Sequence, residues 1–221
     1  ATGSWLFEQI CRQPEYYLTR TELGILAACG PAIARACGPG VVLIEPGSGA
    51  AEKAGLLLSL LRSPAAYVPV EICAEQLQAG ARRLALSHPG LPVRPVCADF
   101  TAPFALPALP PHERRVVFFP GSTLGNFPPD HAIRLLAAFR RLAGPRGLVL
   151  VGIDLVKPAE VLERAYDDAA GVTARFNLNI LLHLNERFGA GFDPALFRHA
   201  AAWCPAEARI EMQLWARERH V

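Results

Sequence analysis

The sequence predicts an α/β protein built on a doubly wound parallel β-sheet, and two observations lead to this class. First, aliphatic runs of strand length, such as Val41–Ile44 and Val116–Phe119, alternate along the chain with segments of helical periodicity. Second, these runs are continuously apolar, which indicates strands buried on both faces, because helices cover a parallel sheet from either side. The composition agrees, since 52% of the 221 residues are hydrophobic and 19% are charged, as is typical of a globular chain.

The predicted strands follow one another between residues 41 and 154, with helices in most of the gaps. We predict strands at 41–44, 67–72, 93–97, 116–119 and 147–154, and helices at about 52–62, 74–87 and 129–142. Pro95 interrupts the third strand. Because proline cannot donate a ladder hydrogen bond, this strand is expected to be short or close to a sheet edge.

The segments that flank this region have different patterns. Residues 1–30 predict a helical segment with a turn at Pro14–Tyr17, and residues 158–188 predict helix with a polar centre. Residues 194–201 favour a further helix. Residues 209–215 alternate polar and apolar side chains, which is typical of a half-exposed antiparallel strand.

These patterns divide the chain into three parts. Residues 1–30 are predicted to form an N-terminal helical segment, residues 31–155 the parallel-sheet core, and residues 156–221 part of a second domain. The strand at 209–215 requires a partner, and no partner strand is predicted. We therefore expect the second domain to be incomplete and the chain to be a truncated form of a longer enzyme, as the absence of an initial Met also suggests.

Charge and cysteine usage argue against several kinds of partner. The formal net charge is only +2, so the composition does not favour binding to nucleic acid or to a membrane surface. No signal peptide and no apolar stretch of membrane length is visible, and the six cysteines include no C-x-x-C pair. We therefore expect a cytoplasmic protein whose cysteines are reduced and buried.

No metal site is predicted. The histidines and cysteines lack zinc-ligand spacing, and the histidines fall in no motif, which favours surface or hydrogen-bonded core positions. Asp167 and Asp168 form an acidic pair, but consecutive helical positions point about 100° apart and cannot aim at one ion. A helix cap or a salt bridge is the favoured role for this pair.

A glycine-rich turn, Glu45-Pro46-Gly47-Ser48-Gly49, follows the first strand. Such glycines let the backbone turn sharply and approach a ligand at the start of the next helix. A nicotinamide-binding turn also needs a small residue where Glu52 stands, whereas a methyltransferase turn needs an acidic residue before a looser G-x-G, which Glu45 supplies. A simple strand-to-helix turn explains the glycines but not Glu45.

Acidic residues also follow the second and third strands. Glu71 ends the second strand 22 residues after Gly49, where a carboxylate can accept both ribose hydroxyls of an adenosyl ligand. Asp99 and Phe100 follow the third strand and suit an adenine, with the carboxylate on the exocyclic amino group and the ring flanking the base. The alternatives are an exposed Glu71, and an Asx-type turn at Asp99 with Phe100 in the core.

The fourth strand leads into a loop with two glycines and Asn126, Pro120-Gly121-Ser122-Thr123-Leu124-Gly125-Asn126-Phe127. In a methyl-transfer enzyme this loop borders the reactive sulfonium. The Asn126 amide offers both an acceptor and donors and could hold an incoming amine with its lone pair aimed at the methyl group. The alternative is a turn that leads into the following helix.

Several segments together resemble a known family. They are Tyr16–Glu22, Glu45–Gly49 with Glu52–Lys53, Phe118–Phe127, Ala165–Thr173 and Arg209–Met212. In combination they resemble the histidine Nα-methyltransferases of ergothioneine biosynthesis, over essentially the whole chain. The resemblance implies a class I methyltransferase, Rossmann-like core with an additional substrate-binding domain, which is incomplete here.

The resemblance also implies roles for particular residues. S-adenosylmethionine is expected to bind at Gly47, Ser48, Lys53, Glu71, Asp99, Phe100, Gly121 and Ser122. The histidine amino acid group is expected at Tyr16, Tyr17, Asn126, Tyr166 and Met212, with Thr173 and Asn177 as possible neighbours. Asn126, Tyr166 and Tyr17 are the expected catalytic residues, and no metal is implied.

The implied reaction converts L-histidine to its trimethyl betaine, hercynine, with three molecules of S-adenosylmethionine. A site of Asn and Tyr suits this chemistry, because an α-amino group has a pKa of roughly 7.7–8 and needs no strong general base. Two alternatives stay open: a related small-molecule methyltransferase with another acceptor, and a nicotinamide-dependent oxidoreductase. The expected partner is a small-molecule amino acid.

Overall fold

A computed structural model describes residues 2–218 of the chain. In chain order its elements are α1 (Thr2–Ile10), α2 (Tyr17–Cys37), β1 (Val41–Pro46), α3 (Glu52–Leu60), β2 (Ala66–Glu71), α4 (Ala74–Ser87), β3 (Val96–Cys97), β4 (Arg114–Phe119), a 3-10 turn (Thr123–Asn126), α5 (Pro129–Ala143), β5 (Leu148–Val151), α6 (Ala159–Tyr166), α7 (Val172–Phe188), a second 3-10 turn (Pro194–Leu196), β6 (Phe197–Cys204) and β7 (Arg209–Ala216).

The chain divides into two compact units, which we describe separately. The sheet unit is Arg20–Asp154, and the terminal unit consists of the described residues before Arg20 and after Asp154. The predicted boundary after residue 30 is therefore wrong. It falls inside α2, whose residues from Leu26 to Cys37 pack into the core of the sheet unit. The predicted boundary after residue 155 lies one residue from the observed one.

The sheet unit contains a five-stranded sheet in the order β3-β2-β1-β4-β5, with every neighbouring pair parallel. Alternate residues of β1 enter different cores, because successive side chains of a strand point to opposite faces. Val41 and Leu43 pack with residues of α2, α3 and α4, whereas Val42 and Ile44 pack with Leu135 and other residues of α5. Helices thus cover both faces, and the predicted doubly wound α/β class is confirmed.

The third strand is the shortest of the sheet. Only Val96 and Cys97 pair with β2, and an isolated bridge joins Tyr67 to Val93. Pro95 lies between these two contacts and has no N–H to donate. The expectation of a short strand near an edge is confirmed, since β3 is an edge strand of this sheet.

The terminal unit contains a hairpin that corrects two predictions. Residues 194–201 do not form a helix, because β6 begins at Phe197 after a short 3-10 turn. β6 pairs antiparallel with β7 over eight residues, from Phe197 opposite Ala216 to Cys204 opposite Arg209. The strand at 209–215 therefore has its partner within the chain. The Ala-rich stretch of β6 has helical propensity, but such propensity is a weak preference that tertiary pairing overrides.

The helical segments otherwise follow the predictions. The first thirty residues hold α1, a turn and the start of α2, while the predicted helical region 158–188 is divided into α6 and α7. No helix among residues 2–218 is long and apolar enough to cross a membrane. Of the six cysteines, only Cys37 is buried, and Cys29 and Cys97 are exposed, so the expectation of buried cysteines is wrong for most of them.

Candidate functional site

The carboxyl edge of the parallel sheet holds the predicted cofactor residues. β1 and β4 are neighbours in the sheet, and the helices that follow them cover opposite faces. In open α/β sheets, ligands bind outside the carboxyl ends of the strands at such a switch point. The candidates all follow strands at this edge: Gly47, Ser48 and Lys53 after β1, Glu71 at the end of β2, Asp99 and Phe100 after β3, and Gly121 and Ser122 after β4.

The segment that follows β1, residues 47–51, is named here the β1 loop. Gly47, Gly49 and Ala51 adopt positive φ angles of 69°, 47° and 58°, so the loop depends on left-handed backbone that glycine adopts without steric cost. A Cβ at Gly47 would lie 3.3 Å from Cε1 of Phe100. The loop therefore passes directly beside the Phe100 ring, and the ring and the loop backbone form one surface.

Glu71 contacts the β1 loop directly. Its Oε2 accepts a hydrogen bond from the N–H of Gly49 at 3.3 Å, and its Oε1 accepts one from the N–H of Cys73 at 3.2 Å. The carboxylate is half-buried and lies beside the glycines, where the ribose role requires it. That role remains a prediction.

Asp99 and Phe100 occupy the end of the loop after β3. Oδ1 of Asp99 accepts hydrogen bonds from the side-chain hydroxyl and the N–H of Thr101, at 2.7 and 2.8 Å. These bonds lower the pKa of Asp99. The Asx-type turn that the sequence left open is present. The Phe100 ring packs edge-on against Phe119 and Phe127, with centroid distances of 5.5 and 6.4 Å.

The segment that follows β4, residues 120–126, is named here the β4 loop. Gly121 and Ser122 have φ angles of 83° and 57°. The hydroxyl of Ser122 accepts a hydrogen bond from the N–H of Asp154 at 3.0 Å. The loop ends in the 3-10 turn at Asn126, whose side chain is exposed, so the amide is accessible as the predicted amine-binding role requires.

Glu22 joins the two loops, and sequence reasoning assigned it no role. Its carboxylate accepts the N–H of Gly121 at 2.9 and 2.8 Å and pairs with Nζ of Lys53 at 2.5 Å. The side chains of Glu22 and Lys53 are only 17% and 18% exposed. The only signal was the position of Glu22 at the end of the Tyr16–Glu22 motif, because no spacing rule relates residue 22 to residues 53 and 121.

Glu45 lies beneath this edge as a buried acid. The side chain is 2% exposed, and the hydroxyl of Tyr67 donates a hydrogen bond to its Oε2. Burial raises the pKa of Glu45 to about 8, against the opposing effects of the Tyr67 hydrogen bond and of Lys53. Burial also raises the pKa of Tyr67. The raised pKa favours the protonated form of this acidic residue before the G-x-G near pH 7.

The terminal unit holds the predicted amino-acid-binding residues other than Asn126. Tyr16 is buried, and its ring packs edge-on against Phe7 and Tyr166 at centroid distances of 6.4 and 5.9 Å. Tyr17 is half-buried, and Nζ of Lys157 lies 4.8 Å from its ring centroid. Met212 lies on β7 opposite Ala201 and is 39% exposed. The structure thus brings Tyr16 and Tyr166 into contact and gives Tyr17 a cation over its ring.

His199 lies behind Tyr166 as a satisfied core histidine, as the sequence analysis favoured. Its Nε2 contacts the carbonyl oxygen of Tyr166 at 2.8 Å, and its Nδ1 contacts Nδ2 of Asn177 at 3.0 Å. The carbonyl can only accept a hydrogen bond, so Nε2 of His199 donates to it. Asn177, a possible pocket neighbour, also donates to the carbonyl of Gln213 at 3.2 Å.

Asp168 caps helix α7, as the sequence analysis favoured for the acidic pair. Its oxygens accept the N–H groups of Val172 and Thr173 at 2.8 and 2.7 Å. Burial alone would raise the pKa of Asp168, but the hydrogen bonds at the helix start outweigh it and hold the pKa below its ordinary value. Thr173, also a possible pocket neighbour, is itself buried.

The residues at the sheet edge fit an adenosyl ligand. Gly47 and Gly121 bring loop backbone close to Phe100 and Lys53, since an added Cβ would lie 3.3 Å from Cε1 of Phe100 and 3.4 Å from Nζ of Lys53. A carboxylate at the end of β2 and an aromatic ring after β3 lie on the same edge. Within residues 2–218, no group of three or more His, Cys, Asp or Glu side chains is arranged to hold a metal ion.

Comparison with known proteins identifies relatives along the whole chain. A family described as "Histidine-specific methyltransferase, SAM-dependent" matches residues 1–221. Histidine N-alpha-methyltransferase of Mycobacterium tuberculosis is 43% identical over 217 residues, which make up 97% of this chain and 67% of that protein. The protein of the same name from Mycolicibacterium smegmatis is 42% identical over 98% of this chain and 68% of its own length.

A more distant relative belongs to a larger protein. Ergothioneine biosynthesis protein 1 of Neurospora crassa is 30% identical over 85% of this chain and 22% of its own length. The family match and the two mycobacterial relatives decide against the nicotinamide-dependent oxidoreductase, because all three are described as methyltransferases. The core is accordingly the Rossmann-like fold of the class I methyltransferases. The chain belongs to the family of S-adenosylmethionine-dependent, histidine-specific methyltransferases.

Proposed function

We propose that this chain methylates the α-amino group of L-histidine and carries the reaction to the trimethyl betaine, hercynine. The observation that carries the proposal is the 43% identity to a histidine N-alpha-methyltransferase over 97% of the chain. The name of the Neurospora crassa relative supports a place in ergothioneine biosynthesis. The geometry of the sheet edge supports the cofactor half of the reaction.

The proposed cofactor contacts follow from the chemistry of each group. Glu71 accepts the ribose hydroxyls, since its carboxylate already lies beside the β1 loop. Phe100 flanks the adenine, and Asp99 accepts the exocyclic amino group. Gly47, Ser48, Gly121 and Ser122 bring loop backbone close to the ligand. The ammonium of Lys53 has three donors, of which Glu22 engages one, and we assign it to the carboxylate of the methionine part.

The proposed chemistry requires orientation more than proton transfer. S-adenosylmethionine, when bound, supplies a methyl group on a sulfonium, which is an electrophile. An α-amino group has a pKa of roughly 7.7–8, so a useful fraction is neutral near pH 7 and no strong base is needed. Asn126 and the hydroxyl of Tyr166 orient the amine, and such positioning can supply much of the rate.

Aromatic residues suit a product that gains fixed charge. The trimethylated amine is a quaternary ammonium ion, and the faces of aromatic rings attract such cations. The ring of Tyr17 faces a cation in this structure, because Nζ of Lys157 lies 4.8 Å from its centroid. We therefore assign Tyr17 to the ammonium group and Tyr16, Tyr166 and Met212 to the rest of the amino acid.

The test is an assay of the purified chain with S-adenosylmethionine and L-histidine, read by mass spectrometry. We expect three successive products, each heavier than the last by one methyl group, and release of S-adenosylhomocysteine. A panel of other amino acids is the control for acceptor identity. Methylation of another amino acid in preference to histidine would identify a related methyltransferase with a different acceptor and would contradict the proposal.

A further inference from the structure

Glu22 reaches the ligand-binding edge of the sheet from helix α2. Both of its carboxylate oxygens lie within 2.9 Å of the N–H of Gly121, and Nζ of Lys53 lies 2.5 Å from Oε2. With an exposed side-chain fraction of only 17%, the carboxylate is largely shielded from water. Hydrogen bonds to an ionised group are shorter and stronger than those between neutral groups, so the bond from the N–H of Gly121 to the Glu22 carboxylate is a strong one.

A gap in the sheet edge is shaped to receive this carboxylate. Gly152 follows β5 directly, and a Cβ built on it would lie 1.8 Å from Oε1 of Glu22. The backbone of Gly152 does not have the positive φ angle that favours glycine. Because the conformation would accept alanine, the space for the Glu22 carboxylate explains why residue 152 lacks a side chain.

The contacts of Glu22 connect segments that are far apart in sequence. Lys53 lies in the first turn of α3, just after the β1 loop, and Gly121 is in the β4 loop. These two loops lie on either side of the switch point between β1 and β4, where a ligand of this fold binds. One carboxylate therefore sets both the direction of the Lys53 ammonium and the orientation of the Gly121 peptide.

We propose that Glu22 is a positioning residue for cofactor binding. It holds the Lys53 ammonium and the β4 loop in the arrangement that the methionine part of S-adenosylmethionine requires, and it does not touch the reacting atoms. This proposal rests on the proposed function, since Lys53 and Gly121 are assigned to the cofactor there. Removing Glu22 leaves Lys53 as a largely buried charge without its partner, and such a charge reorients or draws in water.

The experiment compares the parent with Glu22→Ala, Glu22→Gln and Gly152→Ala. Gly152→Ala displaces the carboxylate without removing it, and its Cβ also lies 3.3 Å from the backbone nitrogen of Gly121. Glu22→Gln leaves that space unchanged and keeps an acceptor for Gly121, but it loses the charge that pairs with Lys53. Gly24→Ala is the matched control, because it lies on the same helix and an added Cβ there would have no neighbour within 4 Å. Calorimetric titration with S-adenosylhomocysteine, steady-state kinetics and amide hydrogen exchange of the β4 loop are measured for each.

We expect Glu22→Ala and Gly152→Ala to weaken S-adenosylhomocysteine binding by about tenfold or more. KM for S-adenosylmethionine should rise more than kcat falls, and the Gly121 amide should exchange faster with solvent. The affinity of Glu22→Gln for S-adenosylhomocysteine should lie between that of these two variants and that of the parent. Gly24→Ala should bind as tightly as the parent. If Glu22 had only a structural role, its replacement would lower thermal stability but would not raise KM by more than it lowers kcat.

The proposal is overturned if folded Glu22→Ala and Gly152→Ala bind S-adenosylhomocysteine as tightly as the parent, or if exchange of the Gly121 amide is unchanged. If Glu22→Ala does not fold, Gly152→Ala and Glu22→Gln decide the question. A parent that binds no S-adenosylhomocysteine would contradict the proposed function instead. In that case amide exchange still decides whether Glu22 holds the β4 loop.

Discussion

Glu45 gives the sheet unit a pH dependence that a single substitution can remove. Burial raises the pKa of Glu45 from 4.5 to about 8, so between these pH values the folded protein binds a proton that the unfolded chain has released. Stability therefore falls as pH rises from about 4.5 to about 8. Glu45→Gln, which mimics the protonated acid, should flatten this fall and be more stable than the parent at pH 8.

Thermal unfolding of the parent and Glu45→Gln across this pH range measures the effect. Gly24→Ala is the control, because it changes no titratable group and an added Cβ there would have no neighbour within 4 Å, so its curve should run parallel to that of the parent. Parallel curves for the parent and Glu45→Gln would show that Glu45 is ionised in the folded protein.

Asn126 provides the test of the proposed amine contact. Asn126→Ala should lower kcat for histidine methylation roughly a hundredfold, since misplacing a reacting group by a small distance has that effect, while the affinity for S-adenosylhomocysteine stays within about twofold of the parent. Asp130→Asn, exposed in the first turn of α5, is the control and should retain activity. An equal loss of cofactor binding in Asn126→Ala would assign this residue to the cofactor instead.

The sequence predicted contacts between residues that are close along the chain, but not contacts between distant residues. Local patterns placed Glu71 at a strand end and described the Asx-type turn at Asp99, because both depend on neighbours in sequence. The hydrogen bond from Asp154 to Ser122 and the contacts of Glu22 were not predictable. They join residues 32 and 99 positions apart, and only the packed fold brings them together.

At the scale of elements, helix α7 begins at a buried acidic cap. Asp168 accepts two of the N–H groups that the first turn of a helix leaves unpaired. Asp168→Ala should therefore lower the free energy of unfolding by about 1–2 kcal/mol, as the loss of such caps does. Since the pKa of Asp168 is below its ordinary value of 3.8, this stabilisation is present above that pH and is lost as pH falls through the folded pKa.

Urea unfolding monitored by circular dichroism measures this change. Asp167→Ala is the matched control, because this neighbouring side chain is exposed and its carboxylate lies 3.8 Å from Nε2 of His199, whereas the N–H groups of Val172 and Thr173 bond to Asp168. Equal destabilisation by both substitutions would contradict the capping role of Asp168.

Elements were predictable where their pattern was strong and their packing simple. Helix α4 was predicted with its observed limits, 74–87, and β4 and α5 lie within two residues of their predicted limits. β6 was missed because three consecutive alanines, Ala200–Ala202, look helical in isolation, and their pairing with β7 depends on contacts that local sequence does not show. The boundary after residue 30 failed because α2 runs from Tyr17 to Cys37 and packs into the core of the sheet unit, a contact that local sequence does not show.

At the scale of the whole molecule, we expect backbone amides to be protected from hydrogen exchange most strongly in the central strands of the sheet. β1 is fully buried, whereas β5 is half-buried at its edge and the β6–β7 hairpin is half-exposed. Amides of β1 and β4 should therefore exchange hydrogen most slowly, and those of the β6–β7 hairpin should exchange faster, because local opening needs less energy where few apolar groups are buried.

Hydrogen exchange followed by mass spectrometry checks this order with peptides from each strand. The β1 peptide should be the last to exchange and should gain little further protection from S-adenosylhomocysteine. The two loops at the sheet edge should gain the most. Exchange of β1 as fast as that of the β6–β7 hairpin would contradict the description of β1 as the centre of the core.

The left-handed backbone of the two loops has a consequence for how a ligand arrives. Ala51 and Ser122 adopt positive φ angles of 58° and 57° although neither is glycine, a conformation that costs roughly 1–2 kcal/mol per residue. The packed fold offsets this cost, and hydrogen bonds from Gly49 to Glu71 and from Gly121 to Glu22 hold the backbone of the two loops. We therefore expect a ligand that binds the N–H groups of these loops to cost little loop entropy, and its association rate to be set by diffusional encounter rather than by loop rearrangement.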